Sequence, residues 1–194
     1  MTLPEVLRRV VSILSEESVA YMVTGSFATA YYAHPRATQD IDLVVEASEV
    51  ALERVAARLK EAGYYVSPEA VREAVEQEGQ FNAIEADTGW KIDFIVRKSR
   101  PFSIAEFSRR TRTEVLGLEL SLATAEDLVI AKLEWAKLGG SEVQLRDVQK
   151  IVRTQWDELD RSYLNQWIVE LGLGDLWDRV TEAIDVDPGD SSPA

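Results

Sequence analysis

The chain has 194 residues, 34 of them acidic against 21 basic, for a net charge of −13 and a pI near 4.6. That balance argues against broad, nonspecific binding to nucleic acid, whose affinity rests on neutralised phosphates. A hydrophobic content of 46% is ordinary for a soluble globular protein and supports a sizeable core, as one domain with an appendage or as two small domains. No run approaches the roughly 18 apolar residues of a membrane span, and the lack of cysteine removes disulfides and thiolate metal sites, which fits a reducing cytoplasm.

Leu3, Val6, Leu7, Val10, Val11 and Leu14 recur at helical spacing, so residues 3–17 read as an amphipathic helix; Glu5, Glu16 and Glu17 mark it as no signal peptide. A short strand over 19–24 closes at Gly25, and Ser26 is placed to cap a helix that runs to Ala33 before Pro35 ends it. The strand 40–46 follows, then a helix from Ser48 to the stop glycine Gly63. A strand over 64–66 and a helix over 68–77 come next. Segments 81–86 and 90–97 read as an antiparallel hairpin joined by Asp87-Thr88-Gly89. Past Pro101 the pattern gives a short helix (104–110) and a β-ribbon around TEVLGLELSLA.

From Thr124, a candidate cap, everything reads as helix: TAEDLVIAKLEWAKL, SEVQLRDVQKIVRTQ, 160–171 and 174–184, with DVDPGDSSPA as a polar, disordered tail. Trp135, Trp156, Trp167 and Trp177 recur on these amphipathic helices and are expected to pack in their core. The expected fold class is α/β (α+β): a mixed sheet flanked by helices over 1–122, a helical part over 123–184 and the tail over 185–194.

The chemistry sits on the strands. In DIDLVVE, alternation sends Ile41, Leu43 and Val45 to one face and Asp40, Asp42 and Val44 to the other. Two carboxylates that close repel unless a cation joins them. In WKIDFIVR, Asp93 shares a face with Lys91 and Ile95. Three carboxylates on neighbouring strands would suit hard divalent cations, and two such ions about 3.5–4 Å apart activate a hydroxyl and stabilise a leaving pyrophosphate. Gly25-Ser26 lets backbone approach a phosphate, with the N–H groups of a helix start turned to the anion. The plainer alternatives are a sheet-edge role for the Asp-x-Asp pair and an Asp93–Lys91 ion pair. Arg97, Lys98, Arg100, Arg109, Arg110 and Arg112, against the single acid Glu106, make a local cationic patch suited to a triphosphate or an RNA end, or else a solvated face. His34, the only histidine, is given no catalytic role.

The ordered set of Gly25-Ser26, Asp40, Asp42 and a later strand aspartate resembles the nucleotidyltransferase superfamily, of DNA polymerase beta-like fold, although 13 residues separate Ser26 from Asp40, a long gap for the signature. RATQDID, TAEDLVIAKLEWAK and LRDVQKI further resemble the AbiEii-type nucleotidyltransferases, a group that includes toxins of bacterial toxin–antitoxin and phage-defence systems. The resemblance implies that Gly25 and Ser26 hold nucleotide phosphates and that Asp40 and Asp42 ligate magnesium at a two-metal site. Asp93 would complete that site or act as base. Lys132 would neutralise triphosphate charge, Asp147 would fix that lysine or touch the base or acceptor, and Arg36 would contact a phosphate. It implies an NTP substrate, a tRNA 3′ end or a protein hydroxyl as acceptor, and a cognate antitoxin. A noncatalytic partner-binding regulator and an antibiotic-modifying nucleotidyltransferase are the alternatives on the same core.

Overall fold

The computed structural model describes residues 1–33 and 40–185. His34, Arg36 and the residues beyond 185, with the expectations attached to them, lie outside the described residues. The chain divides into two compact units, Met1–Ala28 with Arg36–Thr124, and Thr29–Pro35 with Ala125–Ala194.

The first unit is built on α1 (Leu3–Glu16), β1 (Ala20–Thr24), the start of α2 (Gly25–Tyr32), β2 (Asp40–Glu46), α3 (Glu49–Glu61), β3 (Tyr64–Val66), α4 (Pro68–Glu76), β4 (Gln80–Glu85), β5 (Lys91–Val96), α5 (Pro101–Arg109), β6 (Thr111–Val115) and β7 (Leu118–Leu122). Its strands form one mixed sheet in the order β3-β4-β5-β2-β1-β7-β6. β2 runs parallel to β5 and antiparallel to β1, so the strand with two aspartates lies in the middle of the sheet.

Local chemistry sets the element ends. Glu5 accepts from the Thr2 amide at 2.7 Å and starts α1; Ser48 and Ser67 accept from Ala51 N (3.3 Å) and Ala70 N (3.2 Å) and cap α3 and α4. Leu116 and Gly117 both take positive φ (54° and 71°), the two-residue turn that matches strand twist and closes β6 onto β7. The serine in the first turn differs from expectation. α2 already begins at Gly25, so Ser26 lies inside the helix.

One face of the sheet collects Val23, Ile41, Leu43, Val45, Val66, Phe81, Ala83, Ile92, Phe94, Leu120 and Leu122 and buries them against Val6, Leu7, Val10 and Leu14 of α1, Leu52, Val55 and Leu59 of α3 and Val71 and Ala74 of α4. Full burial of each large aliphatic side chain stabilises by about 1.5–3 kcal/mol. The Phe81 and Phe94 rings stack at 4.9 Å between centroids. Because the strands alternate, this core consumes one face and leaves the aspartates on the other.

The second unit contains α6 (Ala125–Gly139), α7 (Glu142–Gln155), α8 (Arg161–Glu170) and α9 (Gly174–Asp185). Leu128, Val129, Leu133, Val148, Ile151, Val152, Leu164, Ile168 and Val180 are buried within it. Asp160 caps α8, and Lys137 donates to the carbonyls of Leu171 and Gly172 at its far end, both at 3.0 Å. The tryptophans divide. Trp167 is buried as expected, whereas Trp135 is 57% exposed and Trp156 lies at the surface with the Arg161 guanidinium 5.2 Å above its ring. Periodicity gave their stripe but not which part of it is covered. Among the described residues, no helix is long and apolar enough to cross a membrane.

Candidate active site

The site is assembled by strand register. β2 and β5 pair so that Asp42 stands opposite Asp93, and Asp40 opposite Lys91. Partners across a ladder share a face about 4.8 Å apart, so all four side chains rise from the same side of the sheet. β4 and β1 extend the first row. Asn82 is opposite Asp93 and Thr24 opposite Asp42, giving Asn82–Asp93–Asp42–Thr24 across four strands.

Thr24 leads directly into Gly25, whose φ is +64°, and a Cβ built on that glycine would lie 1.9 Å from Asp42 Oδ2. The Asp42 carboxylate therefore occupies the space that a side chain would need, and glycine is required by conformation and by contact together. The same contact puts Asp42 at the positive end of α2, where carboxylates are favoured. Thus the Gly-Ser turn and the Asp-x-Asp strand, 13 residues apart in sequence, form one structural element.

Lys91 supplies the local positive charge. Its Nζ lies 2.7 Å from Asp93 Oδ2. That hydrogen bond is the main reason its ammonium is held above the ordinary lysine value; desolvation opposes, and the charges of Asp93, Asp40 and Asp42 add to the rise. Asp93 is buried, and its second oxygen, Oδ1, has no hydrogen-bond partner. A buried carboxylate oxygen left unpaired costs about 1–3 kcal/mol or more.

Among the described residues, no three or more His, Cys, Asp or Glu side chains are grouped as a metal site. The three aspartates are therefore not a closed ligand set, and a lysine engages one of them. The donor chemistry still fits a hard divalent cation. Asp93 Oδ1 is an orphaned acceptor, Asp42 is its neighbour in register, Asp40 is exposed at the start of the same strand, and the Lys91 side chain is 37% exposed, with room to turn outward. Asp42 and Asp93, with Asp40 beside them, would hold the ion.

Ser26, Lys132 and Asp147 complete the expected set among the described residues. Ser26 follows Gly25 in the first turn of α2. Lys132 and Asp147 belong to the helical unit, where they meet each other: Lys132 Nζ is 2.9 Å from Asp147 Oδ2 and 3.0 Å from Gln144 Oε1, with both members of the pair buried. Nearby in sequence, two further acids are buried with partners: Tyr163 donates to Asp127 at 2.6 Å, and Glu126 accepts from Asp160 N at 2.9 Å.

The basic stretch is largely engaged by its own neighbourhood. Arg97 bonds Glu46 (Nε at 2.8 Å), Arg100 bonds Ser103 at 3.0 Å, Arg112 pairs with Glu119 at 3.1 Å, and Arg110 holds the Phe107 carbonyl with its guanidinium 4.0 Å above the Phe107 ring. Thr24 and Asn82, both in the polar row, were not singled out from the sequence.

No family model matches the chain, and no curated protein matches it in sequence. Solved structures match it in fold. The solution structure of the antibiotic-resistance factor ANT(2'')-Ia is 12% identical with a TM-score of 0.56, covering 89% of this chain and 95% of that one. An antigenic nucleotidyltransferase-like protein from Paracoccidioides brasiliensis is 17% identical with a TM-score of 0.54, covering 90% and 91%. The lincosamide antibiotic adenylyltransferase LnuA, lincomycin-bound, is 12% identical with a TM-score of 0.51, covering 78% and 96%. At these identities the likeness is one of fold, and the chain has the α/β fold of these nucleotidyltransferases, a mixed sheet with flanking helices.

Proposed function

We propose that this protein is a magnesium-dependent nucleotidyltransferase that moves a nucleoside monophosphate from an NTP to an acceptor hydroxyl. The observation that carries the proposal is the register of Asp42 with Asp93 beside a glycine whose missing side chain makes room for the Asp42 carboxylate. In the reaction, the acceptor oxygen forms a bond to the α-phosphorus as the bridging oxygen toward the β-phosphate departs with its electron pair, releasing pyrophosphate. Bound divalent ions supply Lewis-acid activation of the attacking oxygen and charge neutralisation on the leaving group. Asp40 and Asp42 would hold those ions, and Asp93, the most enclosed of the three, would complete their site or receive the acceptor proton. The turn at Gly25 and Ser26 opens α2, whose first amides point toward phosphate oxygens. Lys132 and Asp147 meet as a pair in the helical unit, with Gln144 the second partner of the ammonium.

Within this reading, the AbiEii-like stretches support a tRNA 3′ end or a protein hydroxyl as acceptor, a toxin role opposed by a cognate antitoxin, and a cytoplasmic setting. A second reading, modification of a small antibiotic, is favoured by the fold likeness to ANT(2'')-Ia and LnuA. One experiment covers both: purified protein with Mg²⁺, each labelled NTP in turn, and bulk tRNA, protein, tobramycin or lincomycin as acceptor. Label is expected on one acceptor class. Asp42→Ala should lower transfer by at least roughly a hundredfold, since even groups one layer outside metal ligands cost 10–100-fold. Wild type and Asp42→Ala behaving alike with every NTP would end the transferase reading.

A further inference from the structure

The aspartate face of the sheet is uneven. At Met22 and Val44 it is buried, but past β5 it opens. Asn82 and Gln80 on β4 are exposed. In the next row, register aligns Tyr65, Ile84, Lys91 and Asp40, with Tyr65 69% and Ile84 38% exposed. A large aromatic and a β-branched side chain thus lie side by side in the open, two strands and one strand from Asp93 and one row along, with an amide at Asn82 directly beside the carboxylate. At about 4.8 Å per strand, Ile84 and Tyr65 stand roughly 5 and 10 Å to the side of the aspartate column.

From this arrangement we infer that Tyr65, Ile84 and Asn82 form the acceptor platform, and that its occupant is the terminal nucleoside of a single-stranded RNA. The inference rests on the transferase reading above, because it takes Asp93 as the place where the acceptor hydroxyl arrives. Three observations choose the occupant. The exposed side chains of β3 and β4 on this face, Tyr65, Gln80, Asn82 and Ile84, carry no charge, so a polycationic aminoglycoside could pair here only with the neighbouring aspartates, which the transferase reading gives to the metal ions. β3 has only three residues, too short an edge to take up a peptide as an added strand. A tyrosine face and an amide are what an unpaired base uses, the ring for stacking and the amide for hydrogen bonds to the base edge or ribose. Recognition by stacking also suits a chain of net charge −13, in which Arg97, Arg100, Arg110 and Arg112 already have protein partners, because it needs few phosphate contacts.

The test uses the full chain and short RNAs with 2-aminopurine at either the 3′-terminal or the 5′-terminal position, a base whose fluorescence is quenched on stacking. Wild type should quench the 3′-placed probe and not the 5′-placed one. Tyr65→Ala should weaken that binding roughly tenfold and Ile84→Ala by less, while Tyr65→Phe keeps it, as expected of stacking. Stabilisation by Mg²⁺ and NTP in thermal melting should be the same for Tyr65→Ala and wild type. Equal quenching by Tyr65→Ala and wild type, no quenching by wild type, or displacement of the probe by tobramycin at equimolar amounts would overturn the platform. Tyr65-dependent quenching without nucleotide transfer would keep the platform and remove the transferase reading; transfer to RNA that Tyr65→Ala leaves intact would do the reverse.

Discussion

Two lysine–aspartate pairs, one in each unit, have nearly the same geometry and opposite surroundings. Lys91–Asp93 closes at 2.7 Å and Lys132–Asp147 at 2.9 Å. The side chains of the first pair are 37% and 12% exposed, those of the second 5% and 3%. Among the described residues, Lys91 also feels two more carboxylates, Asp40 and Asp42, whereas Lys132 meets one aspartate and the Gln144 amide. Distance therefore does not tell a replaceable counter-ion from a structural one. Solvent access and company do: a half-open lysine among three acids can give way to a better cation, whereas a lysine enclosed together with its aspartate is held where it is.

The largest effect should come from the buried pair. Lys132→Met removes the ammonium from a buried ion pair, and breaking such a pair costs about 3–5 kcal/mol. Urea unfolding of the variant should show a loss of that size. Replacing both partners, Lys132→Met with Asp147→Leu, should restore most of it, because two apolar groups need no compensation. If Lys132→Met unfolds like wild type, the two pairs are of one kind and the contrast between them is gone.

The open pair should answer differently to the same change. Lys91→Met leaves the buried Asp93 carboxylate without the hydrogen bond from Lys91, a loss of about 1–3 kcal/mol, yet takes away the charge that competes for Asp93. Metal-free protein should lose stability by that amount, while the Mg²⁺ concentration giving half-maximal thermal stabilisation, measured without NTP, should fall below that of wild type. A requirement for more Mg²⁺ than wild type would mean that Lys91 helps to hold the aspartates in place for the ion.

Much of this was legible in the sequence, because it depends on neighbours along the chain. Alternation in DIDLVVE and KIDFIV assigned the aspartates to one face, and Ser48 and Gly63 bounded α3. What was not legible depends on neighbours across it. Taking Asp87-Thr88-Gly89 as the whole loop of the hairpin pairs Ala83 with Asp93, but the structure closes Glu85 onto Trp90 and pairs Asn82 instead. That one-residue slip decides which face meets the aspartate, and so hides Asn82. The arginine patch was a sum of charges, and a sum does not record that Glu46 and Glu119, distant or outside the window, supply the partners. Asp42 filling the space above Gly25 is likewise a contact between segments, with no local signature.

The hairpin that carries Asp93 offers a third way of holding a carboxylate, with no cation, and the smallest expected effect. Glu85 is buried at its tip and accepts from the Thr88 hydroxyl and, at 2.7 Å, the Thr88 amide. The hydroxyl bond is the chief reason its carboxyl sits below the usual range; burial opposes, and the amides of Thr88 and Asp87 add to the lowering. A depressed folded-state value stabilises above the unfolded carboxyl value, about 4.3, and that contribution disappears as pH falls through the folded value. Glu85→Gln removes the titrating group, so wild type should melt higher than the variant near neutrality, with the gap narrowing below about pH 4 and closing in stronger acid. A gap that stays constant with pH would show that the turn depends on the shape of Glu85 and not on its charge, leaving the two lysine pairs as the only places in this comparison where ionisation decides stability.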